Sequence, residues 1–360
     1  MKKTVNDLTT VKSTLFERIQ ITKVHLLSKL QYVADVLDLD KLSAKQIDRV
    51  IFSFIWNSPV ELISREWMKE CKENGGYNIG DLEGITRAKH IRWIIQAIDS
   101  DSSIISNFTK YSLGPGLQII EGRLDNKAPK TMYVRSFNQI AIRDCKYIKN
   151  NNPEHDIRSL KVPEIVKLLR PKNQYNVKQP ISGRTPQWSH MQSEFLEGTR
   201  RGFAWRLAHG ILPQLNYHKN ANHVKNKCSL CGKNESIQHF FYTCPFLTPI
   251  KSKIKTVFGL NKLTYTNLRY LEDLPANKSI KRQLILTLVE VTYQSWRMRC
   301  DIAHGQNPID VTTFSAKCRQ EILWVLRREK RRMQVKDFQK KWMEPALLVI
   351  LAHNKLKVLF

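Results

Sequence analysis

The chain has 360 residues, 42% of them hydrophobic, which is enough for two or three domains with cores of their own. Its charge is one-sided: 59 Lys and Arg against 32 Asp and Glu leave a formal net charge of +27. That field favours a polyanion, nucleic acid before an acidic membrane surface. No run approaches the ~18 apolar residues a bilayer span requires, so no membrane role is expected. The start, MKKTVNDLTTVKST, lacks the apolar stretch of a secretory signal. Seven cysteines, an odd number without framework spacing, fit a reducing compartment, nucleus or cytoplasm.

The hydrophobic pattern is helical almost throughout and predicts a mostly α fold. Leu15, Ile19, Leu26, Leu30, Val33 and Leu37 keep a helical period and predict one amphipathic helix from Leu8 to Asp38, with Arg18, Lys23 and Lys29 interleaved. Ser43 can cap a second helix carrying Ile47, Val50, Ile51, Phe54 and Ile55, stopped by Trp56-Asn57-Ser58-Pro59. After a turn at Asn74-Gly75-Gly76, a third helix runs from about Asp81 to Ile98. Residues 101–180 are broken by Pro115, Gly116, Asn126, Pro129 and Pro153, though Val162 to Leu169 fits a short helix with Pro163 in its first turn.

The tract Arg170 to Pro186, rich in Pro, Gly and Asn, reads as a linker. A helix from about Trp188 to His209 follows, then a basic stretch from His218 to Lys227. Ile280 to Arg299 is predicted helical. The last long helix spans about Val311 to Met343, with Phe314, Cys318, Ile322, Val325 and Leu326 on one face and Arg327, Arg328, Lys330, Arg331, Arg332, Lys336, Lys340 and Lys341 on the other. The apolar tail from Ala346 is expected to pack back as a strand or short helix. The expected organisation is therefore a helical segment over 1–100, an irregular connecting region over 101–186, a metal-binding domain over 187–260 and a C-terminal helical region over 261–360.

The densest chemistry lies in NKCSLCGKNESIQHFFYTCP. Cys228, Cys231, His239 and Cys244 form a C-x2-C-x7-H-x4-C array. Three thiolates and one imidazole satisfy a tetrahedral Zn2+ and leave no position for water, so the expected ion is structural. Catalytic constellations are missing. A polymerase needs paired metal-binding carboxylates, and the chain has no Asp-Asp pair; Asp35, Asp38 and Asp40 at a helix end read as a solvated edge. Pro308-Ile309-Asp310 is the nearest approach to a nuclease motif, without a second acid and lysine at suitable spacing. No Gly-rich phosphate loop follows a strand. The chain is therefore expected not to be an enzyme by itself.

Two sets of residues carry a resemblance. The first is Arg18 with Ile21-Thr22-Lys23, the Leu27-Ser28-Lys29-Leu30 box with Tyr32, Phe54 with Trp56, and Gly75-Gly76 followed by Asp81-Leu82. The second is Trp205-Arg206-Leu207, His209-Gly210, Leu212-Pro213, the four Cys and His residues, and Pro245-Phe246. In this order they resemble the region after the catalytic core of LINE-type (non-LTR) retrotransposon reverse transcriptases: a helical thumb-like segment, then a zinc-binding domain. The resemblance implies zinc on Cys228, Cys231, His239 and Cys244, RNA or DNA as partner, and the remainder of a reverse transcriptase as a second partner.

Candidate nucleic-acid contacts are Arg18, Lys23, Lys29, Arg206, Lys219, Lys225, Lys227, Arg327, Arg328, Arg331 and Arg332. For the basic helix from Arg327 to Lys341 two readings stand: a solvated face or a phosphate-contacting ridge. Trp205, Phe240, Phe241 and Tyr242 could stack on bases, but core packing is favoured for Trp205 and at least one phenylalanine. A protein-docking module built on the zinc site, or a relic of an element, are the alternative expectations.

Overall fold

A computed structural model describes residues 2–9, 12–34, 39, 41–114, 116–120, 136–170, 177, 180–212, 227–345, 347–352 and 355–359. The fold is mostly α, 67% helical, as the periodicity predicts. Among the described residues the only sheet is an antiparallel hairpin in the C-terminal tail, Val349–Ala352 against Lys355–Val358. No helix among them is long and apolar enough to cross a membrane. The predicted linker from Arg170 falls largely outside the described residues, and so do Asp35, Asp38 and Asp40.

The chain divides into two compact units: Met1–Ser13, Glu17–Glu70 and Tyr77–Tyr175 in the first, and Thr14–Phe16, Cys71–Gly76 and Asn176–Phe360 in the second. The first is centred on the Leu82–Ile98 helix, with Asp81 at its N-cap, close to the predicted start. Ala88, Ile91, Ile94, Ile95 and Ile98 pack against Leu113, Ile120, Ala141, Cys145, Ile148 and Ile165, all buried. Arg87 donates from Nε and Nη2 to the two carboxylate oxygens of buried Asp144 at 2.7 and 2.5 Å, a bidentate pair of the stronger kind. Val162–Leu169 is a helix with Pro163 in its first turn, as its spacing predicts.

The second unit has the larger core. Leu284, Leu288 and Val291 of the Lys278–Ala303 helix pack with Phe314, Cys318, Ile322, Val325 and Leu326 of the Val311–Arg332 helix. Asp310 caps the latter: its carboxylate accepts from the Thr312 and Thr313 amides at 2.7 and 2.9 Å. The carboxylate nearest to a nuclease motif thus serves as a helix cap. Arg200 ties three helices together, reaching Glu290 at 3.1 Å, Glu321 at 2.8 Å and Glu197 at 3.0 Å.

Several predicted helices are shorter than their periodicity suggests. The span from Leu8 to Asp38 is not one helix: Lys2–Thr9 ends first, and helix resumes at Leu15. Thr9 closes the first piece by donating to the Asn6 carbonyl at 2.6 Å, the competition with the helix that hydroxyl side chains offer. From Thr22 to Leu27 the second piece widens to a π-helical turn around the buried Thr22. Ser43 is not a cap, because its helix already begins at Lys41.

The predicted Trp188 to His209 helix splits into Trp188–Met191 and Gly198–His209. Ser193 bonds back to the His190 carbonyl at 2.7 Å in the break. The last long helix stops at Arg332, and Val335–Trp342 starts again after extended Met333. The bend has a packing reason. At 3.6 residues per turn, a straight helix would carry Phe338 roughly 120° around from Leu326, whereas the break buries both Phe338 and Trp342 completely.

Candidate metal centre

The predicted ligands converge. One donor atom from each of Cys228, Cys231, His239 and Cys244 lies within 4.8 Å of the others. The local backbone explains how. Lys227 and Asn234 form an antiparallel bridge, and inside it the Cys228 amide donates to the Lys233 carbonyl at 2.6 Å. The Gly232 amide closes the turn onto the Cys228 carbonyl at 2.8 Å. Gly232 has φ +72°, the left-handed conformation that glycine tolerates without a Cβ clash.

The second ligand pair stands on a π-helical turn, His239–Thr243. The spacing H-x4-C places the cysteine five residues after the histidine, one more than an α-turn aligns. The π turn supplies the missing residue: the Cys244 amide donates to the His239 carbonyl at 2.7 Å, an i→i+5 bond. Ser236 Oγ accepts from the His239 amide at 2.9 Å at the start of the turn, and Pro245 opens the 3-10 turn that follows.

The donor geometry suits a tetrahedral ion. Cys228 and Cys244 sulfurs are 3.9 Å apart, close to the ~3.8 Å edge of a tetrahedron with metal–sulfur bonds of about 2.3 Å and far beyond the ~2.05 Å of a disulfide. Cys231 Sγ and His239 Nε2 lie 3.1 Å apart. His239 Nδ1 sits 3.3 Å from Thr243 Oγ1, so Nε2 faces the thiols while the other ring nitrogen meets an outer partner, the arrangement that fixes a ligating tautomer. The contact between the two sulfurs pushes the Cys228 pKa down and, with burial, that of Cys244 up. A bound cation removes both protons and takes their place.

The centre is embedded, not suspended in a loop. Cys228 and Cys244 are buried with Phe203, Leu207, Leu212, Ile237, Phe240 and Phe241. Phe203 meets Phe241 and Tyr293 edge-on at 6.2 and 5.3 Å. This bears out the core reading of the phenylalanines. Trp205 is also fully buried, and its Nε1 donates to the Gly75 carbonyl at 2.7 Å. Arg269 caps the end of the Gly198–His209 helix, reaching the Leu207 and Ala208 carbonyls at 3.2 Å each, as a cation at a helix C-terminus should. Sequence reasoning missed Glu235, which lies inside the array and pairs with Arg299 at 2.6 Å. Its position between two ligands was the available signal.

The basic candidates fall into different environments. Lys23 donates to the Tyr77 carbonyl at 2.5 Å. Arg206 is half-buried with Nε 3.3 Å from the Gly202 carbonyl. Arg18 is half-buried, whereas Lys29 and Lys227 are exposed. Arg328 reaches the Phe195 carbonyl at 2.5 Å and Glu197 at 3.4 Å. Arg327, Arg331 and Arg332 are exposed at the end of the Val311–Arg332 helix. Lys219 and Lys225 lie outside the described residues.

No protein-family model matches the chain. The chain is similar to the Transposon TX1 uncharacterized 149 kDa protein of Xenopus laevis, 25% identical over 132 residues. That match covers 35% of this chain and 10% of the relative, so it spans about a tenth of the relative's length. It points to a transposon-related chain, the coarser part of the resemblance drawn from the motifs.

Proposed function

We propose that this chain is a nucleic-acid-binding, zinc-stabilised C-terminal portion of a LINE-type reverse transcriptase, or of a protein derived from one, and that it performs no polymerisation itself. The observation that carries the reading is the set of exposed cations Arg327, Arg331, Arg332, Lys336 and Lys340, for which no partner exists among the described residues. They add to a chain already at +27. Structural ion pairs consume other arginines, such as Arg87 and Arg200, so these five are among the charges left for phosphate. The likeness to a transposon-encoded protein supports the same direction.

Zinc is the ion that three thiolates and an imidazole select, and a closed tetrahedron of this kind contributes folding energy and leaves no open coordination position. The chain's own carboxylates support the non-catalytic reading: the sequence holds no Asp-Asp pair. Fluorescence anisotropy with labelled RNA and DNA, titrated with the zinc-loaded chain at increasing salt, tests the proposal. The expected result is tight binding at low salt and a steep linear fall of log K with log salt. Absence of binding at low salt overturns it.

A further inference from the structure

We propose that Trp324 is a stacking platform for an unpaired base, with Arg327 and Arg331 holding the flanking phosphates. The inference rests on the nucleic-acid reading above and names the site and the class of strand, single-stranded RNA or DNA.

Trp324 is anomalous for its place. The Val311–Arg332 helix buries Phe314, Cys318, Ile322, Val325 and Leu326, and Trp324 lies off that stripe with 49% of its surface exposed. Its neighbour Leu323 is partly buried against the core, whereas Trp324 is exposed. At helical spacing its neighbours along the face are Arg327, Arg328 and Arg331, at i+3, i+4 and i+7. The charges therefore line up beside the indole: at 1.5 Å rise per residue Arg327 is about 5 Å and Arg331 about 10 Å further along the axis.

Arg328 has a different task from its two neighbours. Its guanidinium lies over the Trp324 ring, 5.2 Å from the centroid. It is itself held by the Phe195 carbonyl at 2.5 Å and by Glu197 at 3.4 Å. An anchored cation braces one part of the indole, so the ring is oriented before any ligand arrives and loses little freedom on binding. A preset aromatic surface beside arginines that have no partner among the described residues is an arrangement suited to single strands. Every base offers a π-face to stack, while a paired base keeps its faces inside the duplex.

The test compares a labelled single-stranded 12-mer with a blunt duplex, using the full zinc-loaded chain. Trp324→Ala is expected to weaken single-strand binding about 5- to 100-fold, the loss typical of one stacked base. Duplex affinity, zinc content and thermal midpoint should stay at wild-type values. Trp324→Phe should recover most of the loss. Arg327→Ala and Arg331→Ala should each flatten the single-strand salt slope by about 0.7, whereas Trp324→Ala leaves the slope unchanged. Wild-type single-strand affinity in a folded Trp324→Ala variant overturns the stacking site while leaving the nucleic-acid reading intact. Equal losses on single strand and duplex overturn it as well. Failure of the wild-type chain to bind any nucleic acid removes both.

Discussion

Glu235 of the metal loop and Arg299 of the Lys278–Ala303 helix form a buried ion pair, Oε1 to Nη2 2.6 Å, with only 3% and 7% of their side chains exposed. Arg299 also lies over the Trp296 ring at 4.8 Å. The loop that carries the ligands is therefore attached to the longest helix of its unit by a charge pair as well as by the aromatic cluster. Removing one partner leaves the other charge buried and uncompensated, which costs about 3–5 kcal/mol. Glu235→Ala and Arg299→Ala should each lower the free energy of unfolding by that order in denaturant titrations. The double variant should be less destabilised than the sum of the two. Strict additivity would mean that the pair contributes no coupling.

Metal removal should act on the same unit. Structural zinc in small modules supplies about 10–16 kcal/mol of apparent binding energy. Cys228→Ser and Cys231→Ser should each abolish stoichiometric zinc, measured by elemental analysis, and lower the thermal midpoint. A strong chelator should reproduce the shift in the wild-type chain and leave the variants unmoved. Cys71 and Cys300, which stand outside the cluster, serve as controls: serine at either position should keep the zinc. Full zinc content in Cys228→Ser would sink the assignment.

The four candidate ligands were legible because C-x2-C and H-x4-C spacings report local turns, and turns are encoded locally. Glycine at 232 and the turn they define follow directly. The π turn at His239 was not legible, since no residue preference announces an i→i+5 bond; only the need to bring Cys244 back beside His239 does. The mostly α fold was legible from periodicity. The helix breaks at Ser193 and Met333 were not, because the apolar period continues across them and only the burial of Phe338 and Trp342 shows why the chain must turn. Trp205 and Gly75, 130 residues apart, stood out as separate boxes. Their hydrogen bond is a long-range fact that no single window contains.

That bond gives a third prediction. Gly75 holds φ +84°, and a Cβ added there would sit 2.4 Å from Trp188 Cε2. Gly75→Ala therefore meets left-handed strain of about 1–2 kcal/mol and a ring that must move, with Trp205 Nε1 bound to the same residue's carbonyl. The expected destabilisation exceeds about 2 kcal/mol in chemical denaturation. Trp205→Phe removes the donor and leaves a cavity where the second ring stood, and should cost more than the about 1–3 kcal/mol of a carbonyl left without its partner. A neutral Gly75→Ala would show that this glycine is not required by the backbone.

The last prediction concerns acid. His209 is fully buried, stacked on Trp188 at 5.0 Å and edge-on to Trp205 at 4.3 Å. Burial pushes its pKa down from 6.5 to about 3, with the charge of Arg269 acting in the same direction and the Gly75 carbonyl opposing it. The folded state thus prefers the neutral ring, while the unfolded chain takes up a proton near pH 6.5. Stability from this group is full above pH 6.5 and is lost progressively as pH falls toward 3, at up to about 1.4 kcal/mol per pH unit. Acid also competes with an ion bound at the Cys and His cluster, so the measurement is a difference. From pH 7 to pH 4 at matched zinc, the unfolding free energy of wild type should fall more steeply than that of His209→Phe, because the variant lacks the His209 contribution to the slope. Parallel curves would mean that His209 binds its proton equally well in both states.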